Sequence, residues 1–262
     1  MTPILIAAAI AIATALIAAA FHHVVQRTFG YDVLARHNDV AGFIYSAIGV
    51  IFAVVLGFAV IVVWQKYDTV RSYVDQEVAA ATDLYHVADG FPKDLRATIR
   101  AQLVRYAEVV ATREWRTMAN GNFAVSGSPE IETIAHEISA FQPANGSQQD
   151  AHQNALAEVL QLFDARRQRI RANEPSVPPL LWFALFAGAA ATLGFTYLFG
   201  VQNRAAQLLM TATLASLIAI MFAVIQGLDS PFSGAAAIQP SGWQFFLSRT
   251  QAINASDGGV SR

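Results

Sequence analysis

FIYSAIGVIFAVVLGFAVIVV, Phe43 to Val63, is 21 residues without a charge, a proline, an asparagine or a glutamine. As a helix rising ~1.5 Å per residue it crosses a hydrocarbon core of roughly 30 Å. Lipid supplies no partner for a backbone N–H or C=O, so a single span has to be a helix. Two stripes divide its surface. Ser46, Gly49, Ala53 and Gly57 share one face, and residues that small let another helix come close. Val50, Val54 and Phe58, four residues apart, form a second stripe. One stripe can serve helix packing while the other looks into a bundle or a pore; packing alone also accounts for both.

The rest of the chain fits a membrane protein. Of 262 residues 55% are apolar and 14% charged, too apolar a balance for an ordinary soluble domain. There is no cysteine, which excludes disulfides, thiol catalysis and thiolate metal sites. The net charge of −2 with mixed signs points to no nucleic-acid partner. Six scattered histidines form no HxxxH or HExxH pair, so no metal site and no cofactor are expected, and His22-His23 reads as interfacial packing.

Ile4 to Phe21 is another apolar run. Only Met1-Thr2-Pro3 precedes it, without a base, so it reads as a retained anchor helix rather than a signal peptide. His22 to Val40 reads as a short polar loop. Beyond Val63 the apolar spacing continues through Val70, Val74, Val78, Ala81 and Leu84, which predicts one long helix to about Asp89. Trp64 and Tyr67 mark the membrane–water boundary. Gly90-Phe91-Pro92 breaks this helix, with Pro92 suited to a first helical position. Further helices are predicted to about Met118, from Ser128-Pro129-Glu130 to about Phe141, and from about Asp150 to Ala172 through Leu156, Val159, Leu160, Phe163 and Ile170. Leu180 to Gly200 and Gln207 to Leu228 are two more spans, joined closely enough to form an antiparallel hairpin. Gly188, Ala191 and Gly194 offer small contacts in one, and Thr211, Thr213 and Ser216 weak polar ones in the other. In the tail, Pro240 and Ser241 start a short helix carrying Trp243, Phe246 and Leu247, and a polar, unstructured end follows Asn254.

The fold expected is therefore all-α: four transmembrane helices with an all-helical insert between spans two and three. Residues 1–65 hold helices one and two, 66–178 the insert, 179–229 helices three and four, and 230–262 the tail. Fourteen of the 17 Lys/Arg lie in insert and tail, and the positive-inside rule then places the insert and both termini in the cytoplasm. The four spans as bounded here contain no Asp, Glu, Lys, Arg or His, which argues against a pump or proton-coupled carrier and leaves a passive pore or a scaffold. No nucleophile elbow or phosphate loop points to an enzyme. Glu114-Trp115, Asp68 and Asp75 read as solvated salt-bridge positions, and Asp229 as a helix-end or loop hydrogen bond.

VVLGFAVIVVWQKYDTV, Val54 to Val70, resembles the second span of the bestrophins, and LDSPFSG, Leu228 to Gly234, resembles the motif that follows their fourth. The HND segment His37 to Asp39, the pair Glu114-Trp115 and the PFxG segment Pro231 to Gly234 resemble motifs of the bestrophin-like bacterial membrane proteins, in the same order along most of the chain. The resemblance implies a homo-oligomeric, pentameric ion channel in a bacterial inner membrane, its partners being the lipid bilayer, further copies of itself and inorganic ions. It implies a neck at Val50, Val54 and Phe58, with Ser46, Gly49, Ala53 and Gly57 packing helices. Bestrophins commonly carry aromatics at the two later neck positions, and Val54 departs from that. Acids that clasp calcium in the family are here Ser233-Gly234-Ala235-Ala236-Ala237, so calcium gating is not expected. Pro231, Phe232, Gly234, Trp243 and Phe246 are expected to dock the tail on the insert of the same chain or of a neighbour. The second reading is a non-conducting membrane scaffold or sensor whose insert binds a partner.

Overall fold

The structure, a computed structural model, describes residues 2–29, 38–122, 128–234 and 236–259. Its elements are α1 (Thr2–Phe29), α2 (Asn38–Val87), α3 (Lys93–Val109), α4 (Trp115–Ala119), α5 (Pro129–Ala140), α6 (Gly146–Arg171), α7 (Pro179–Tyr197), α8 (Arg204–Asp229) and α9 (Ser241–Gly259). A 3₁₀ turn, Ala88–Gly90, ends α2, and a π turn, Val110–Glu114, joins α3 to α4. No strand occurs among the described residues. Four helices are long and apolar enough to cross a membrane: α1, α2, α7 and α8.

The chain divides into two compact units, Met1–Lys66 with Pro175–Asp229 and Tyr67–Glu174 with Ser230–Arg262. Helix α2 contributes to both.

In the first unit α8 packs most extensively on α1. The side of α2 that packs inside the chain is Phe52, Ala59 and Val63, all buried. Phe52 joins Ala189 of α7 and Ile218 of α8 in a small core. Gly188 makes that contact possible: a Cβ there would sit 2.4 Å from the Phe52 ring. Asn38 fastens the far end of α7, accepting from Gly200 N at 3.0 Å and donating to Gly200 O at 2.8 Å. Asn203 caps α8 by accepting from Ala206 N at 3.1 Å. At the other end Asp229 accepts from Ser176 N at 2.7 Å, Ser176 Oγ at 2.6 Å and Val177 N at 3.3 Å. This is the loop hydrogen bond its position suggested.

The second unit has the larger core. Leu84 and Tyr85 of α2, Ile99, Leu103 and Tyr106 of α3, Ile131, Ile134 and Ile138 of α5, Leu162 of α6 and Trp243 of α9 are fully or almost fully buried together. Gly90 allows α6 to approach the 3₁₀ turn, since a Cβ there would meet Ala151 at 2.4 Å. Asn145 starts α6 by accepting from Gln148 N at 2.9 Å.

Several boundaries differ from those read in the sequence. Helix α1 continues to Phe29, because no glycine or proline follows Phe21 before Gly30. The apolar window of that span is Ala8–Val25, so it takes in His22, which is buried with its ring 5.7 Å from that of Tyr197. The spans are thus not free of ionisable side chains. Pro92 is the N-cap of α3 rather than its first residue. Helix α6 starts at Gly146, four residues early, because Asn145 supplies the cap. Its Leu160 points outward, 63% exposed, instead of joining the buried face. Ser128 precedes α5 as expected, but its hydroxyl donates to Glu130 Oε2 at 3.3 Å rather than capping the backbone. Helix α9 runs to Gly259, past the expected start of an unstructured end. His37, Arg36 and the Ser126-Gly127 loop lie outside the described residues.

Candidate functional site

Helix α2 packs on one side and is open on another. Val50, Val54 and Phe58 are 65%, 53% and 63% exposed. The same line continues through Ile61, Gln65, Asp68, Ser72, Gln76, Ala79, Asp83 and His86, every one of them exposed. These steps of three and four residues keep to one helix face. The face is apolar up to Ile61 and, Ala79 apart, polar beyond it. The neighbouring small-residue stripe is open as well: nothing lies within 4 Å of a Cβ placed on Gly49 or Gly57, and Ser46 and Ala53 are exposed. Among the described residues both stripes are largely open within the chain. Asp68 and Asp75 are solvated, but they form no ion pair among the described residues.

On the inner side of the same helix lies a buried charge cluster. Val70, Val74, Ala81 and Leu84 make an apolar stripe, and Glu77 interrupts it at 0% exposure. Ala155, Val159, Leu162 and Ala165 make another on α6, which Arg169 extends, also at 0%. Arg169 Nε donates to Glu77 Oε2 at 2.5 Å, and Nη2 donates to Glu77 Oε1 at 3.0 Å and to Glu114 Oε2 at 2.5 Å. Arg166 Nη2 donates to the other Glu114 oxygen at 2.6 Å. The Tyr106 hydroxyl donates to Glu77, and Arg169 Nη1 approaches Met118 Sδ at 3.0 Å. Two carboxylates thus meet two guanidiniums.

Isolated ions would not be tolerated in a dry core, but paired and hydrogen-bonded ones are. Burial pushes the Glu114 carboxyl up, and the charges of Arg169 and Arg166 outweigh it, leaving it below the usual carboxylate range. Burial, reinforced by the Glu77 charge, pushes the Tyr106 phenol well above its ordinary value. Burial opposes the Arg169 charge, and Glu77, its largest counterweight, holds the guanidinium protonated all the more firmly.

The π turn at Val110–Glu114 inserts an extra residue's rotation just before Glu114, which stands at its end. Glu114 is therefore a buried partner, not the solvated acid of the sequence reading. Trp115 beside it donates from Nε1 to Ile238 O at 2.9 Å, and its ring lies edge-on to Phe232 with centroids 5.4 Å apart. Ile238 N in turn donates to Pro231 O at 2.8 Å.

The EW pair and the PFxG segment, far apart in sequence, are thus one contact. Gly234 takes φ +76°, a left-handed conformation that glycine accepts without strain. Phe232, Trp243 and Phe246 are buried at 2%, 0% and 3% among the helices of their own chain. Glu77 and Arg169 escaped the sequence reading. Their signal was a charge standing at an apolar-stripe position on each of two helices.

No group of three or more His, Asp or Glu that could hold a metal occurs among the described residues. A family model described as a Bestrophin-like domain matches residues 11–243. Among solved structures, a crystal structure of a bacterial bestrophin homologue from Klebsiella pneumoniae with an isoleucine-to-threonine mutation is similar at TM-score 0.69 and 13% identity, covering 92% of this chain and 98% of that one. A second, with a leucine-to-threonine mutation, is similar at TM-score 0.66 and 14% identity, covering 92% and 97%. No curated protein matches.

Proposed function

Because the chain belongs to the Bestrophin-like family, we propose that it is a homo-oligomeric ion channel, five copies surrounding an axis lined by α2. The observation that carries the reading is the open line along that helix, apolar at Val50, Val54 and Phe58 and polar from Gln65 onward. In this reading the stripe of Ser46, Gly49, Ala53 and Gly57, open around both glycines, receives the neighbouring subunit. The two stripes lie about 100° apart, one residue's rotation, so one helix serves a neighbour and the axis together.

A ring of valine and phenylalanine offers a hydrated ion no replacement ligands. It gates by expelling water. Past the ring, Gln65, Asp68, Ser72 and Gln76 keep the conduit wet. Valine at position 54 makes the middle of the neck wider than an aromatic would. The insert and both termini face the cytoplasm of a bacterial inner membrane, from the bases at Lys66, Arg71 and Arg166 to Arg171. A reporter fused near Asn145 checks that orientation.

The test is ion flux through liposomes holding the purified oligomer. Phe58→Ala raises flux, while Gly57→Leu breaks assembly. Open space around Gly57 means that leucine is tolerated within one chain, so the defect is one between chains. No flux from either wild type or Phe58→Ala, in correctly inserted oligomers, refutes the channel and leaves a membrane scaffold.

A further inference from the structure

A cavity of about 300 Å³ opens in the first unit at the end where α7 and α8 are joined. That volume is at the lower end of the range of small-molecule sites. Its walls include Tyr45 of α2, Phe199 just past α7, and Gln207, Met210, Thr211 and Leu214 of α8. The α8 residues recur at three and four positions, so the cavity follows one face of that helix for about 10 Å, from Gln207 to Leu214. Its ends differ. Met210 and Leu214 make the end farther along α8 apolar. Gln207 and the Tyr45 phenol stand nearer the helix start, and the Gln207 amide is turned by its donation to Phe199 O.

Arg204, exposed at the first position of α8, precedes Gln207 by three residues and so crowns the same face one turn above it. It is the one base in the connection between the two spans. A groove that is greasy along a membrane-spanning helix and carries a cation where that helix begins matches an amphiphile with an anionic head. The helix start adds the partial positive charge of its unpaired amides.

We propose that this cavity is a binding site for an anionic phospholipid of the surrounding bilayer, one acyl chain lying along Gln207 to Leu214 and the phosphate against Arg204. The site is independent of whether the oligomer conducts.

The full chain is reconstituted in phosphatidylcholine liposomes containing a minor fraction of phosphatidylglycerol with a photoactivatable acyl chain, and adducts are mapped by mass spectrometry. Phosphatidylcholine with the same acyl chain is the comparison. Adducts are expected to concentrate on Met210 and Leu214 over Leu209 and Leu217, whose exposures of 69% and 55% make them equally open to bulk lipid. Phosphatidylglycerol should label Met210 and Leu214 roughly fivefold more than phosphatidylcholine, the preference one surface base confers for an anionic head. Arg204→Gln should bring that ratio to about one while leaving adducts in place, and Leu214→Trp, which fills the groove, should remove them. Even labelling across all four residues means annular lipid only and overturns the site. Labelling that spares Met210 and Leu214 means that protein, such as a second copy, covers the groove, and overturns it too. Equal labelling by the two lipids in wild type overturns the role of Arg204.

Discussion

Replacing Arg169 with methionine tests whether the buried charge cluster holds the second unit together. The guanidinium is fully buried and makes three hydrogen bonds to two carboxylates, at 2.5, 3.0 and 2.5 Å. Methionine keeps much of the volume and removes the charge. Glu114 retains Arg166, but Glu77 is left with the Tyr106 hydroxyl alone. Breaking a buried pair by deleting one partner costs about 3–5 kcal/mol, because the surviving charge stays desolvated. At about 2–4 °C per kcal/mol for a domain of this size, the melting temperature should fall by about 6–20 °C. Tryptophan fluorescence in detergent reads it directly, since Trp115 and Trp243 both lie in that core.

A double variant, Glu77→Gln with Arg169→Met, removes the uncompensated charge, leaves the Glu114–Arg166 pair in place and should recover at least half of the loss. An Arg169→Met protein melting within about 2 °C of wild type would refute the reasoning, since the carboxylates would then be finding water or protons. So would a double variant no more stable than the single one.

Three other perturbations have definite outcomes. Burial first, and the Asp83 charge second, raise the Glu158 carboxyl pKa, so its ionised form destabilises the fold above that pKa and the penalty disappears below the unfolded value; Glu158→Gln should therefore raise the melting temperature at pH 8, with the difference vanishing by about pH 4. Asp229→Ala leaves the Ser176 and Val177 amides without their acceptor and should cost about 1–3 kcal/mol, with Asp229→Asn milder because an Oδ1 acceptor remains, as thermal unfolding would show. Trp243 is fully buried but its Nε1 has no hydrogen-bond partner among the described residues, so Trp243→Ala should cost about 3–5 kcal/mol and Trp243→Phe clearly less; equal losses in chemical denaturation would mean that the indole N–H matters after all.

The four spans and the long second helix were legible in the sequence because their causes are local. A run such as Phe43 to Val63 can satisfy its backbone in lipid only as a helix, whatever surrounds it. Gly90-Phe91-Pro92 ends α2 through its own backbone restrictions, and Pro129 opens α5 for the same reason. The two stripes on α2 also follow from spacing alone. What spacing could not tell is which stripes stay open within the chain. Tertiary packing gave Phe52, Ala59 and Val63 to the interior and left Val50, Val54, Phe58, Gly49 and Gly57 outside.

The charge cluster lay still further from view. Glu77, Glu114 and Arg169 are separated by up to 92 positions, and although Glu77 and Arg169 each stand in an apolar stripe, neither helix shows which charge meets it. Only the folded chain neutralises them, because an ion tolerates burial only where its counter-ion arrives from another helix, and no local pattern encodes that arrival. The same holds for Trp115 and Phe232, which two short motifs carry into one contact. Local hydrophobicity and backbone stereochemistry determined the elements; long-range desolvation and close packing decided which of their faces and charges are inside.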